Sequence, residues 1–274
     1  MLPAALIVFR EVLEAALIVT IIMAATRGLP HRGKWVSLGI LVGIAGAGIV
    51  AALANIIASS FAGSGQEIVN AAILFIAVGL IGWHIVWMNS HGRRMAAEMR
   101  AIGHQVAEGE KHMSVLAIVV GLAVMREGSE LVLMLKGLWA GSNSSNEMII
   151  GSLIGLAAGV AMGALLYAGM LALSLGRLFS LTNGLLVLIA SGMAARGADF
   201  LNQADLLPTL KPRMWDTGFI LSDDHGVGQA LGALIGYIAQ PSGIEVLFYG
   251  VTAAVIFICI RLTRMHAHGH AKAP

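Results

Sequence analysis

Two stretches decide how this chain is read: residues 2–25, LPAALIVFREVLEAALIVTIIMAA, and residues 114–135, SVLAIVVGLAVMREGSELVLML. Each is an apolar run of membrane length, broken near its middle by the same charged word, Arg-Glu-x-x-Glu. The first copy is Arg10, Glu11 and Glu14; the second is Arg126, Glu127 and Glu130. An ionisable side chain near the centre of a spanning helix costs roughly 2.5–3.5 kcal/mol on insertion scales. Six of them cost on the order of 15–20 kcal/mol before pairing, more than the whole folding stability of a typical domain. Packing alone does not require that cost twice at matched depth, so these residues are the first candidates for function.

The rest of the composition fits a membrane setting. The 274 residues are 58% hydrophobic and only 12% charged, half the charged share of a soluble domain, and the mean hydropathy is +0.84. The 34 glycines suit close approach of helices in lipid. A single cysteine, Cys259, excludes an intramolecular disulfide and a thiolate metal cage. The formal charge of +2, spread over loops, argues against nucleic acid as a partner. The first apolar run has no basic segment before it and carries three charges, so it reads as a retained helix rather than a cleaved signal.

Apolar runs of about 20 residues mark spans near 2–25, 36–60, 67–90, 113–138, 147–175, 178–201 and 243–262. The expected fold is an all-α polytopic membrane protein of seven helices. Residues 228–240 are too short to span and are closed by Pro241-Ser242-Gly243, which suggests a re-entrant segment. Basic residues set the orientation: Arg27, Arg32, Lys34, Arg93, Arg94, Arg100, Lys111, Arg177, Arg261, Arg264 and Lys272 fall on one side, against Lys136, Lys211 and Arg213 on the other. The N-terminus is therefore expected outside and the C-terminus in the cytoplasm. The outer loop 202–227 carries Asp205, Asp216, Asp223 and Asp224, with Asp199 at its inner edge; it is either an acidic entrance for cations or an ordinary solvated loop. The inner segment 92–112, rich in helix formers and mixed charge, reads as an interfacial helix.

The halves resemble each other beyond the charged words. Leu6 and Val8 precede the first motif as Leu122 and Val124 precede the second, 116 residues on. GILVGIA from Gly39 matches GSLIGLA from Gly151, and Asn70, Ile76, Ala77 and Gly79 match Asn183, Ile189, Ala190 and Gly192. Helices 1–3 and 4–6 then form a duplicated unit, repeat 1 over about 1–91 and repeat 2 over about 113–201. The outer loop and re-entrant segment (about 202–242), a seventh helix (about 243–262) and a cytoplasmic tail (263–274) complete one permease domain. Three spans per unit insert the second copy upside down, and the pseudo-two-fold axis brings the two motifs face to face at the bilayer centre. That is the plan of many secondary transporters.

On a helix, residues three or four apart lie about 40–60° apart around the axis, so each motif presents one polar face. Opposed, the two faces offer four carboxylates to one volume, a donor set suited to Fe(III), Fe(II), Mn(II), Mg(II) or Ca(II) rather than Cu(I). The arginines can pair with the acids when no ion is bound. Fully ionised, the two motifs together sum to about −2, which a divalent ion balances. The plain alternative is that a buried Arg–Glu pair merely locks helices together.

Lesser candidates follow. Arg196 and Asp199, at i and i+3, form either a gate pair or an interface pair. His84, beside Trp83, reads as a packed or hydrogen-bonded histidine rather than a ligand. Met95 and Met99 have a copper-like spacing in a charged segment, and His266, His268 and His270 lie in the tail.

The paired motif in helices 1 and 4 of a seven-helix chain resembles the high-affinity iron permeases, the oxidase-dependent iron transporters of fungi and their bacterial relatives. The likeness extends to W-D-x-G-x-x-L-S from Trp215 and G-Y-x-x-x-P-S from Gly236. It implies import of Fe(II) or Fe(III), with Glu11, Glu14, Glu127 and Glu130 as ligands and Arg10 and Arg126 as their partners. It also implies a bacterial inner-membrane location, no permanently bound cofactor, and a periplasmic iron-binding or ferroxidase partner. The fungal D-A-S-E motif has no copy here, so an ion hand-over falls to other acids such as Asp223 and Asp224. Two other readings stand beside iron: a transporter of Mn or Pb, with proton exchange at the same glutamates, and an intramembrane di-metal enzyme. Di-iron oxidases use Glu-x-x-His pairs, where this chain has Glu-x-x-Glu. No P-loop is present, which argues against ATP hydrolysis by the chain itself.

Overall fold

The computed structural model describes residues 1–60, 66–141, 145–169, 175–221, 228, 231–232 and 235–269. Among them all regular structure is helical: α1 (Leu2–Ala25), α2 (Arg32–Ser60), α3 (Gln66–Ala107), α4 (Ser114–Ala140), α5 (Ser145–Tyr167), α6 (Leu175–Gln203) and α7 (Gly243–Gly269). Five contain stretches long and apolar enough to cross a membrane: Arg32–Ile56, Gln66–Asn89, Ser145–Tyr167, Leu178–Gln203 and Gly243–Thr263. α1 and α4 have spanning length too, at 24 and 27 residues, but carry the motif charges. The chain is a multi-pass membrane protein.

Large apolar side chains on α2 and α5, among them Leu41, Ile49, Leu153 and Val160, face outward. In water such a surface would be a liability; toward lipid it is the expected one. The inward faces of the same two helices are lined with glycine. α5 packs along α1 and α2 along α4, more extensively than any other pairs. A methyl placed on Gly155 would lie 2.3 Å from the Ala5 carbonyl oxygen, and one on Gly43 would lie 2.7 Å from that of Gly121. Backbone thus touches backbone, the close approach that small residues permit.

These contacts recur between the two helix pairs. Gly39 meets Ala117, Gly43 meets Gly121, and Gly128 meets Ala47; correspondingly, Gly151 meets Met1, Gly155 meets Ala5, and Gly159 meets Val12. Each α2 residue lies 112 positions before its α5 counterpart, and each α1 residue 116 positions before its α4 counterpart.

Three expectations need correction. α3 does not stop at the membrane edge: it runs 42 residues without a break, so segment 92–112 is not a separate interfacial helix. At 1.5 Å per residue, α3 is about 63 Å long, twice the hydrocarbon core. Its extension returns to the C-terminal end of α1, with Gly103 against Ala25 and Val106 buried beside Ile22 and Val36. α5 ends at Tyr167, short of 175, and the backbone at Gly169 takes a φ of 69°. Finally, Arg196 and Asp199 do not pair. Arg196 Nη1 donates to the carbonyl of Gly141, the C-cap of α4, and Asp199 accepts from Gln203 Nε2 at 2.7 Å.

Within the segment 228–240, residues 236–240 leave the helix. Gly236, at φ 68°, lies against Gly192 near the middle of α6, where a methyl would sit 2.5 Å from the Gly192 Cα. Tyr249 Oη donates to the Ile235 carbonyl at 2.6 Å and holds the segment against α7. α7 then starts with a reciprocal cap: the Ser242 amide donates to Glu245 Oε2 at 2.8 Å, and the Glu245 amide to Ser242 Oγ at 3.4 Å.

Candidate metal centre

α1 packs against α3, α4 and α5, which bury the polar face of its motif. Arg10, Glu11 and Glu14 are each 1% exposed. One helical turn joins Arg10 to Glu14, and Arg10 Nε lies 3.0 Å from Glu14 Oε1. The same i, i+4 geometry recurs on α4, where Arg126 Nε donates to Glu130 Oε1 at 3.0 Å. The Arg126 guanidinium also stacks 3.9 Å from the ring centre of Trp87 on α3.

The two motifs meet, and the residue between them is His84. Its Nδ1 is hydrogen-bonded to Glu130 Oε2, while its Nε2 lies 3.3 Å from Glu14 Oε2 and 3.7 Å from Glu11 Oε1. One ligand atom from each of Glu11, His84, Glu127 and Glu130 lies within 4.8 Å of the others. Opposite ligands around an ion with bonds of about 2.1 Å are about 4.2 Å apart, so this group is one small closure from enclosing a cation. Both carboxylate oxygens of Glu11, Oε2 of Glu14 and Oε2 of Glu127 are buried with no hydrogen-bond donor. Buried carboxylate oxygens are normally satisfied. Like charges about 4 Å apart also repel by about 4 kcal/mol at an effective dielectric of 20. Carboxylate oxygens without donors beside one imidazole are a donor set that can hold a cation.

The sequence singled out all four glutamates, and the fold brings all four to one place, with Glu14 on the Arg10 side of the tightest group. The sequence reading takes His84 as a packed or hydrogen-bonded histidine, and His84 is buried and hydrogen-bonded, but its partners are the motif glutamates. The available signal was that His84 and Glu67 are the only ionisable residues in the span Gln66–Asn89, and an ionisable group inside a span is a functional candidate by default.

The two sides of the centre differ. Between it and the N-terminal end of α1 lies an apolar layer that includes Ile7, Leu74, Ala77, Ile81, Met134 and Met193. Toward the extension of α3 lies a cavity of about 530 Å³, lined by Glu127, Arg126, Trp87, Ile18, Met99 and Glu98. Met95 and Met99 pack against the apolar cluster of Ile18, Ile22 and Val120 beside this cavity, so their spacing reflects packing at the cavity wall.

Asp199 and Asp216 have partners of their own outside the group of candidate metal ligands. Asp216 holds a turn: it accepts from the Gly218 amide at 3.0 Å and from Gln240 Nε2 at 2.9 Å, and lies 3.4 Å from Arg213 Nη1. Asp223, Asp224 and His270 lie outside the described residues.

A family model described as the iron permease FTR1 family matches residues 1–271. The ferrous iron permease EfeU of Escherichia coli O6:H1 (strain CFT073) is 31% identical over 270 residues, covering 92% of this chain and 94% of that protein. EfeU of Escherichia coli O6:K15:H31 (strain 536) is 30% identical, with coverage of 92% and 94%. EfeU of Shigella sonnei (strain Ss046) is 30% identical over 269 residues, with coverage of 92% and 93%. No solved structure matches the chain.

Proposed function

The chain belongs to the iron permease FTR1 family, and from that premise we propose that it imports iron, as Fe(II), through one midplane site made by the two opposed Arg-Glu-x-x-Glu motifs. Proteins of this family are permeases, so the chain moves an ion and is not an enzyme. Glu11, Glu14, Glu127 and Glu130 hold the ion, and Arg10 and Arg126 neutralise them between ions. The observation that carries this reading is the convergence of both motifs on one buried volume, with carboxylate oxygens that lack donors. Fe(II) is favoured over Fe(III) by charge, since the two motifs sum to about −2, and by the relatives, whose names specify ferrous iron.

The architecture that serves this function is seven spans in one domain: an inverted 3+3 repeat plus α7. Its support is the set of glycine contacts that recurs between α2·α4 and α5·α1. In a bacterial inner membrane, the distribution of basic residues places the N-terminus outside and the α3 extension in the cytoplasm. The apolar layer around Ile7 and Met134 then closes the outer side, and the cavity beside Glu127 is the route by which the ion leaves inward. On this orientation Asp199 and Asp216 belong to the entrance side, where a periplasmic iron-binding or ferroxidase partner would deliver the ion, and the sequence offers Asp223 and Asp224 for the hand-over.

Flux into proteoliposomes containing this chain alone tests the reading, with Fe(II) and Fe(III)-citrate compared directly. The expected result is Fe(II) flux that disappears in the Glu14→Ala/Glu130→Ala double variant while membrane insertion is retained. Fe(II) flux unchanged in that variant would contradict the site, and flux of Fe(III) alone would contradict the oxidation state.

A further inference from the structure

We infer that His84 is a nitrogen ligand of the transported ion and gives the site its preference for Fe(II) over Mg(II) and Ca(II). The inference rests on the central-site reading above and adds to it a residue outside either motif. Three observations carry it.

The first is position. His84 is 1% exposed, belongs to the tight group with Glu11, Glu127 and Glu130, and is the one member that comes from α3. The second is orientation. Both oxygens of Glu130 are engaged, Oε1 by Arg126 Nε and Oε2 by His84 Nδ1. A carboxylate on Nδ1 fixes the ring and its tautomer, the arrangement that metal-binding histidines use. The opposite nitrogen, Nε2, is then presented to Glu14 Oε2 and Glu11 Oε1 at 3.3 and 3.7 Å. Nε2 is also within hydrogen-bonding distance of Glu14 Oε1, at 3.5 Å, so the ring nitrogen and the acids of α1 face one common volume that a cation can share. Glu130 thereby orients the ring in addition to lining the site, while Glu11 and Glu127 keep oxygens with no donor.

The third is asymmetry. The repeat that relates α3 to α6 by 113 residues pairs His84 with Gly197, whose neighbour is Phe75 rather than the site. The carboxylates come in matched pairs, but the imidazole comes once. A cage of carboxylates alone suits Mg(II) and Ca(II) as well as Fe(II), and imidazole is a ligand for iron, zinc, copper and nickel. One nitrogen among oxygens is therefore the feature that separates iron from the alkaline-earth ions.

The test uses the purified full-length chain under anaerobic conditions, with Fe(II) as the probe and Ca(II) and Mg(II) as competitors. X-ray absorption at the iron edge of the wild-type complex should show the multiple-scattering signature of one imidazole. His84→Gln, which keeps a polar group beside Glu130, should lose that signature, bind Fe(II) roughly 10- to 100-fold more weakly, and become sensitive to Ca(II) competition. An oxygen-only shell in the wild type, or His84→Gln with unchanged affinity and selectivity, overturns the inference. Glu127→Gln separates the two levels of the argument. If it abolishes binding while His84 makes no difference, the carboxylate site stands and only the role of His84 falls. If it binds Fe(II) normally, the site reading itself falls. Because the wild-type absorption measurement needs no variant, the inference stays testable even if His84→Gln does not fold.

Discussion

The two arginines have the same neighbour one turn on but different surroundings, and the difference sets what each is worth. Arg10 is 1% exposed and sits beside Glu14 in the packed interior; the Arg126 side chain is 36% exposed, stacks on Trp87 and borders the cavity. Removing one partner of a fully buried pair leaves an uncompensated charge and costs about 3–5 kcal/mol. At a half-open site, water replaces the lost partner and the cost falls to about 1 kcal/mol or less. Thermal unfolding in detergent should therefore place Arg10→Met well below wild type and Arg126→Met close to it; equal losses would show that the two sites are equally dry. At this scale the motifs were legible because a charge inside an apolar run stands out against its background. For His84 the sequence pointed to a packed or hydrogen-bonded imidazole but not to its partners, because they lie on α1 and α4, 70 and 46 residues away.

Among the elements, α1 and α5 are held by contact between backbones, and the glycines of α5 are what allow it. Gly155→Leu should separate the pair, since even its first carbon would lie 2.3 Å from the Ala5 carbonyl oxygen. Overpacking of this kind costs about 1–3 kcal/mol when side chains can yield, and more where the obstacle is backbone. Gly48 on α2 faces open space, so Gly48→Ala should leave stability unchanged or raise it by up to about 1 kcal/mol through helix propensity. Protease resistance of the purified protein checks both, and equal resistance of Gly155→Leu and wild type would count against this packing. Apolar runs predicted the element positions well but not their ends. The α3 extension reads as an interfacial helix because its charges are mixed, yet Gly103 and Val106 give it an apolar contact with α1 that appears only once α1 is in place. Arg196 and Asp199 looked like a pair by spacing, but the carbonyl of Gly141 at the end of α4 is an unsatisfied acceptor and takes the arginine.

For the molecule as a whole, α1 and α4 contribute two carboxylates each, and α3 adds one histidine to a centre that is closed toward one face of the bundle and bordered by a cavity toward the other. This arrangement gives the account its central claim: the motifs are halves of one site, not two sites. The 112- and 116-residue correspondences lead to the expectation that the two faces meet, and the four glutamates do lie together; the α3 histidine between them is not part of that expectation. The most direct measurement is the number of Fe(II) ions bound per chain, determined by metal analysis after anaerobic equilibration, for wild type, Glu11→Gln and Glu127→Gln. The account predicts one ion in the wild type and none in either variant, since each removes a ligand from the same site. Two ions in the wild type with one retained in each variant would contradict it.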